Sequence, residues 1–237
     1  MTDDNKPMIS SAELGRIIDD AALFASRDTK YPSINCIQFD STAKNLICIG
    51  TDRFTLGASV ADYVGENGEQ FAFSLSLPQA QMVSKIAKSC KAAFSTVSIL
   101  PFGDSVTFVF TSGEALTVPK LILDHELPKW RGLVGGQLTR ESDSTQAMGI
   151  NPVYLAKFGR VQNARKMVMR ATGPASPVVM KIGSSFIGLI MPIRLEAAEI
   201  DLSSIEWLTP PEPPKTEKPK RTRKPRTTSR KAEAVPA

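Results

Sequence analysis

The chain has 237 residues, 42% of them hydrophobic, enough to bury a sizeable core in one or two domains. Its apolar runs are too short to cross a bilayer, its opening MTDDNKP is no secretion signal, and a single histidine removes nearly every imidazole-based catalytic or zinc arrangement. Nine of its 29 basic residues fall between Lys215 and Lys231, so residues 1–214, with 20 basic and 22 acidic side chains, form a slightly acidic, cytoplasmic body ahead of a strongly basic tail.

Residues 1–9 are polar, carry Pro7 and lead into a short strand. Ser10-Ser11-Ala12-Glu13 marks a helix start, and Leu14, Ile17, Ile18, Ala21, Phe24 and Ala25 recur at helical spacing through Ser26. Strands follow at 34–40, 46–50 and 54–63. Within them LICIGTDRFTLGASV, Leu46 to Val60, places two apolar runs around Thr51-Asp52-Arg53 and by itself reads as a plain β-hairpin. The order then repeats. A strand at 71–75 precedes a helix opened by Leu77-Pro78, with Met82, Val83, Ile86 and Ala87 on its apolar face, and strands follow at 96–100, 105–110 and 115–121. Leu127 to Trp130 reads as an irregular connector, and residues 134–144, VGGQLTRESDS, as a linker. A third copy starts with a short strand over 145–150 and a helix from Asn151-Pro152, using Val153, Tyr154, Phe158 and Val161. Strands at 166–171, 178–182 and 186–192 close it, the last stopped by Pro192.

The fold expected from this order is α+β, three β-α-β-β-β units over 1–65, 66–133 and 145–197, with a linker at 134–144 and a proline-rich and basic tail at 198–237 expected to be disordered. Cys36, Cys48 and Cys90 are odd in number and lack CxxC spacing, which points to free thiols rather than a disulfide or metal site.

Each helix carries basic residues opposite its apolar face. The first and its exit have Arg16, Arg27 and Lys30, the second Lys85, Lys88 and Lys91, and the third Lys157, Arg160, Arg165 and Lys166. A solvated face accounts for any one of them. Three of three on an acidic body points to phosphate neutralisation without base readout, and the lack of interleaved aromatics argues against a single-strand stacking platform. Asp19 and Asp20 read as solvated helix residues, Asp124 has no partner pattern, and no phosphate loop, nucleophile elbow or HExxH occurs, so neither enzymatic chemistry nor a cofactor or metal is expected.

GTDRFTLGAS and GLIMPIRL, with SLPQAQMVSKIAK and LPKWRGL in order between them, resemble signature stretches of the bacterial DNA polymerase III beta sliding clamp family, in a reduced, phage-like form. Residues 5–133 resemble one whole clamp domain and residues 144–195 the second half of the family's last domain. The family's first domain and the first half of its last have no counterpart. The resemblance implies that the three units are half-units of a clamp fold, the first two making one domain (1–133), with antiparallel sheets outside and helices lining the other surface. Its further implication is a DNA-encircling processivity factor whose helices line the lumen, tethered to a replicative polymerase and a clamp loader through linear peptide motifs. It also implies a peptide-binding cleft built from Thr51, Phe54 and Leu56 of the hairpin, Pro128 and Leu133 of the connector, and Leu189, Ile190, Met191 and Pro192 of the last strand. Leucines and an adaptable methionine suit a slot for apolar peptide anchors, although Leu56, Leu189 and Met191 read equally as core. Rings of that family close with twelve half-units, so a homo-oligomer is implied, four copies ahead of three or two, joined head to tail between the sheet edges of the third and first units. Two other readings stay open: a clamp-like decoy that binds clamp-motif peptides without encircling DNA, and a regulator that binds DNA through residues 215–231.

Overall fold

Strand side chains alternate between two sides, and that alternation sorts most of this fold. The computed structural model describes residues 7–63, 70–90, 94–122, 129–141, 148–162 and 165–196. The first unit runs β1 (Met8–Ser10), α1 (Ser11–Ala22), β2 (Cys36–Ser41), β3 (Asn45–Thr51) and β4 (Thr55–Asp62). The second repeats it as β5 (Ala72–Ser76), α2 (Leu77–Ser89), β6 (Thr96–Phe102), β7 (Ser105–Phe110) and β8 (Ala115–Pro119). Ser76 and Gln79 close a capping box at the start of α2, with Pro78 tolerated in its first turn. The two units exchange their first strands, β1 pairing with β6 and β5 with β2, while α1 packs on α2.

The third unit consists of α4 (Pro152–Phe158), β9 (Met167–Arg170), β10 (Val178–Ile182) and β11 (Phe186–Ile190). Of the strand expected over 145–150, residues 145–147 lie outside the described residues, and 148–150 keep a single bridge, Gly149 to Ile193. β11 pairs antiparallel with β4, from Thr55 opposite Ile190 to Ser59 opposite Phe186. The result is a seven-stranded sheet, β5-β2-β3-β4-β11-β10-β9, beside a four-stranded one, β1-β6-β7-β8. This corrects one expectation. The edge of the first unit, assigned to a head-to-tail contact between copies, is already occupied by the third unit of the same chain.

A second correction concerns residues 134–144. Trp130–Thr139 form a helix, α3, despite three glycines that weaken helical propensity. Packing overrides that weakness. Trp130 Nε1 donates to Asp40 Oδ2 at 3.1 Å, Arg131 pairs with the same carboxylate, and Val134 is buried against Ile49, Leu56, Ala58, Val179 and Leu189. These residues occupy one face of the large sheet. Leu46, Cys48, Ser59, Val178, Met180, Phe186 and Ile190 point the other way, towards α1 and α4.

On that helix-facing side three glycines stand in a row across three strands, Gly50 opposite Gly57 and Gly57 opposite Gly188. The row is what lets Phe24 lie flat on the sheet. A Cβ at Gly57 would fall within 2.7 Å of several Phe24 ring atoms, and one at Gly188 2.7 Å from Phe158. Gly57→Val should therefore overpack the join and cost about 1–3 kcal/mol, seen as a lower urea midpoint. Gly135→Ala in α3, where an added Cβ meets nothing within 4 Å, should instead stabilise by roughly 0.5–1 kcal/mol. Among the described residues no helix is long and apolar enough to cross a membrane.

Candidate nucleic-acid interface and peptide cleft

Of the basic residues expected to face a nucleic acid, Arg16 does not reach solvent. It is 6% exposed and inserted among its own neighbours. Its Nη1 donates to Asp20 Oδ2 (3.1 Å) and to Ser59 Oγ (3.0 Å), its Nη2 to the Val60 carbonyl (2.8 Å), and Nε and Nη2 to Glu13. Asp20, read as solvated, is fully buried. Burial pushes its carboxyl above the ordinary range, opposed by the Gln162 amide, the Ser59 hydroxyl and Arg16. The Gln162 N–H, on the third unit, reaches Asp20 Oδ1 at 2.9 Å, so the group also ties the first and third units together. The pattern is visible in outline in the sequence: Glu13, Arg16 and Asp20 stand three and four residues apart, a spacing that puts them on one side of a helix. With Arg16 withdrawn, α1 shows solvent Ala12 and, in part, Glu13, Asp19 and Ala22. It is not a basic helix.

The other positions divide by their partners. Lys88 on α2 pairs with Asp19, which also accepts from the Ser84 hydroxyl, and Lys157 on α4 pairs with Asp52 of the β3–β4 hairpin. Arg27 and Lys30 after α1, Lys85 on α2, Arg160 after α4, and Arg165 and Lys166 before β9 are exposed, with no ion pair among the described residues. Lys91 lies outside the described residues. Arg27, Lys157 and Arg160 converge on one pocket of about 800 Å³ between the α1 exit, the hairpin tip and α4. Phe54 and Tyr154, stacked with ring centres 5.4 Å apart and planes 12° from parallel, form its wall. Neighbouring residue types do not reveal this aromatic–basic grouping, because Phe54 and Tyr154 lie a hundred positions apart and the spacing of Tyr154 reads as helix core.

The expected cleft is brought together only in part. Thr51, its hydroxyl donating to the Thr55 carbonyl at 2.7 Å, stands beside Leu56 and Leu189 on the outer face of the sheet. α3 roofs that floor, leaving Leu56 5% and Leu189 7% exposed. The cavity left beside Thr51, Leu56 and Trp130 is about 10 Å³, no more than the volume one water's centre needs. Ile190 belongs to the opposite face, fully buried with Phe158 and Phe186, because consecutive strand residues cannot line one slot. Pro128 lies outside the described residues. The apolar groups still accessible are Phe54 (51% exposed), Leu133, Met191 and, in part, Pro192 and Tyr154. The Met191 N–H donates to the Phe54 carbonyl at 2.8 Å, which holds these two side by side. Trp130 and Val134 supply that roof, although their sequence places them only in a connector and a linker.

Cys36 and Cys48 are buried free thiols and Cys90 a half-buried one, and burial pushes the Cys36 thiol up to about 11. Among the described residues no cluster of His, Cys, Asp and Glu is placed to hold a metal ion.

No protein-family model and no curated protein matches the chain. Solved structures do. The fold is similar to that of the DNA polymerase III beta subunit of Thermotoga maritima, with a TM-score of 0.65 and 15% identity over 81% of this chain and 66% of that one. It is similar as well to the DNA polymerase sliding clamps of Pseudomonas aeruginosa (0.62, 14% identity, 81% and 67%) and Bacillus subtilis (0.62, 13% identity, 83% and 66%). The fold is thus the α+β fold of the bacterial sliding clamps, and the chain spans about two thirds of the length of these proteins.

Proposed function

We propose that this chain is the subunit of a reduced DNA sliding clamp, a non-enzymatic cytoplasmic processivity factor of a bacteriophage or mobile element. It encircles duplex DNA as a homo-oligomer and tethers a polymerase and a clamp loader through linear peptides. The observation that carries the reading is the β4–β11 join. It runs one sheet across a unit boundary while α1 and α4 stay on the same face, so unit after unit can extend a wall with helices inside. Exposed Arg27, Lys30, Lys85 and Arg160 then supply phosphate contacts that carry no sequence information.

The test is topological. Once loaded, the clamp should stay on nicked circular DNA at salt concentrations that strip it from linear DNA of equal length, and equal loss from both would reject encirclement. Reversing Arg27, Lys85 and Arg160 to glutamate should weaken binding to open duplex and flatten its salt dependence by about one unit of log–log slope for each phosphate no longer neutralised.

The peptide site in this reading is the accessible strip of Phe54, Tyr154 and Met191, not the roofed pair Leu56 and Leu189. Phe54→Ala with Met191→Ala should weaken binding of a polymerase-derived peptide tenfold or more, since buried apolar anchors carry on the order of 2 kcal/mol each. Fluorescence anisotropy with a labelled peptide measures it. A folded double variant with unchanged affinity would move the site elsewhere.

A further inference from the structure

Three is an odd number of parts for a fold whose parts join in pairs. Two kinds of join occur inside the chain. Units one and two exchange first strands, each supplying a strand to the other's second strand, β5 onto β2 and β1 onto β6. Units one and three meet last strand to last strand, β4 against β11, centred on Gly57 opposite Gly188. This second join is nearly two-fold symmetric. β4 starts at Thr55 and β11 at Phe186, Gly57 and Gly188 each stand two residues further on, and Thr55 faces Ile190 as Phe186 faces Ser59.

The two sheets end on four strands, β1 and β8 in one and β5 and β9 in the other. β1 and β5 are the exchanged first strands, β1 only three residues long and β5 capped by the Leu121 N–H, which donates to the Ser74 carbonyl at 2.7 Å. That leaves the second unit with the outer edge of its last strand, β8, and the third with the outer edge of its second strand, β9, neither with a strand partner among the described residues. β9 carries Met167, Val168 and Met169 in the open, 38%, 54% and 47% exposed, an apolar run that proteins do not leave on a bare sheet edge. β8 shows its core-facing Leu116 half-buried, at the place that repeats Gly57 of β4.

We infer that both edges are covered by further copies of this chain through self-complementary contacts, β8 against β8 of a second copy and the third unit against the third unit of another. At β8 the two strands run antiparallel about a two-fold axis near Leu116, repeating between chains what β4 and β11 do within one. Such an axis, perpendicular to the sheet, keeps α1, α2 and α4 of both copies on one side. Facing residues across it carry no like charges, Glu114 coming opposite Val118. Each chain then makes two different isologous contacts instead of one head-to-tail contact, so copies add in pairs and a closed assembly contains an even number of chains. Four chains supply twelve half-units. The inference rests on the ring reading for closure, whereas the pairing of edges stands on the strand order together with the apolar side chains that β9 and β8 leave open.

Single-cysteine cross-linking tests it on the full chain. In a Cys90→Ser background, Leu116→Cys should oxidise to a disulfide-linked dimer in high yield, because only an isologous contact brings residue 116 to its own copy. Light scattering of the unmodified protein should give the mass of four chains. Val168→Lys with Met169→Lys should reduce it to two chains joined by β8, Leu116→Lys with Thr117→Lys to two joined by their third units, and all four together to one. A mass of four chains without the 116 cross-link would overturn the isologous contact and leave the ring standing. A mass of three chains would overturn it as well. A persistent monomer that is lost equally from circular and linear DNA would remove both the inference and the ring.

Discussion

Phe24→Ala is expected to lower the stability of the folded body by about 3–5 kcal/mol, among the largest losses a single core truncation produces. The ring is fully buried, 4.8 Å from the centre of Phe158 and 5.4 Å from that of Phe186, and it rests on the glycine row. Deleting it opens a hole whose floor is glycine and cannot reach up to fill it. Phe24 follows α1 of the first unit, whereas Phe158 and Phe186 belong to the third, so the loss falls on the join between units as well as on the core. Chemical denaturation followed by tryptophan fluorescence measures it, Trp130 sitting on the far side of the same join. The effect should also be coupled to Gly57→Val. The valine methyls occupy part of the volume the ring vacates, so the double variant should be less destabilised than the sum of the two. Strict additivity, or a Phe24→Ala loss below about 1 kcal/mol, would contradict the packing described.

Much of this architecture is legible in the sequence because it is periodic. The two β-α-β-β-β units, the α-β-β-β order of the third, and the helix that Leu77-Pro78 opens follow from spacings of two or of three and four, and from turn residues between them. What is not legible lacks a local signature. α3 contains Gly132, Gly135 and Gly136 and is a helix because Trp130 and Val134 find partners on a sheet far away in sequence. Arg16 looks like a lumen residue because a charge beside an apolar stripe normally points outward. Its burial depends on Ser59 and the Val60 carbonyl, which only the pairing of β4 with its neighbours brings within reach. For the cleft, family resemblance places Leu189, Ile190 and Met191 together. Strand alternation divides them, with Ile190 going to the core and the other two to the outer face. Here the period of two is the better guide, because a β-strand cannot turn three consecutive side chains into one slot.

The buried Arg16–Asp20 group gives the second large effect. Asp20→Ala should cost about 3–5 kcal/mol, because it leaves the Arg16 guanidinium buried without its inner counter-ion. It also strips the acceptors from Ser59 Oγ and from the Gln162 amide. Asp20→Asn keeps one oxygen for the Gln162 amide and should lose less. The two variants also separate the tie between units from the charge. In Asp20→Ala the Gln162 amide should exchange with solvent much faster than in the parent, whereas in Asp20→Asn it should stay protected. An unchanged exchange rate in Asp20→Ala would show that the third unit is held without this bond. The pH dependence has a definite sign. Burial raises the Asp20 carboxyl in the folded state, so the folded chain holds this proton at pH values where the unfolded chain has released it. This group's contribution to stability therefore falls as pH rises from the ordinary carboxylate range through the raised folded value, and it is constant above that. Asp20→Asn cannot titrate there. The stability advantage of the parent over Asp20→Asn should be greatest in acid and should shrink towards neutral pH, as paired urea titrations across that range would show.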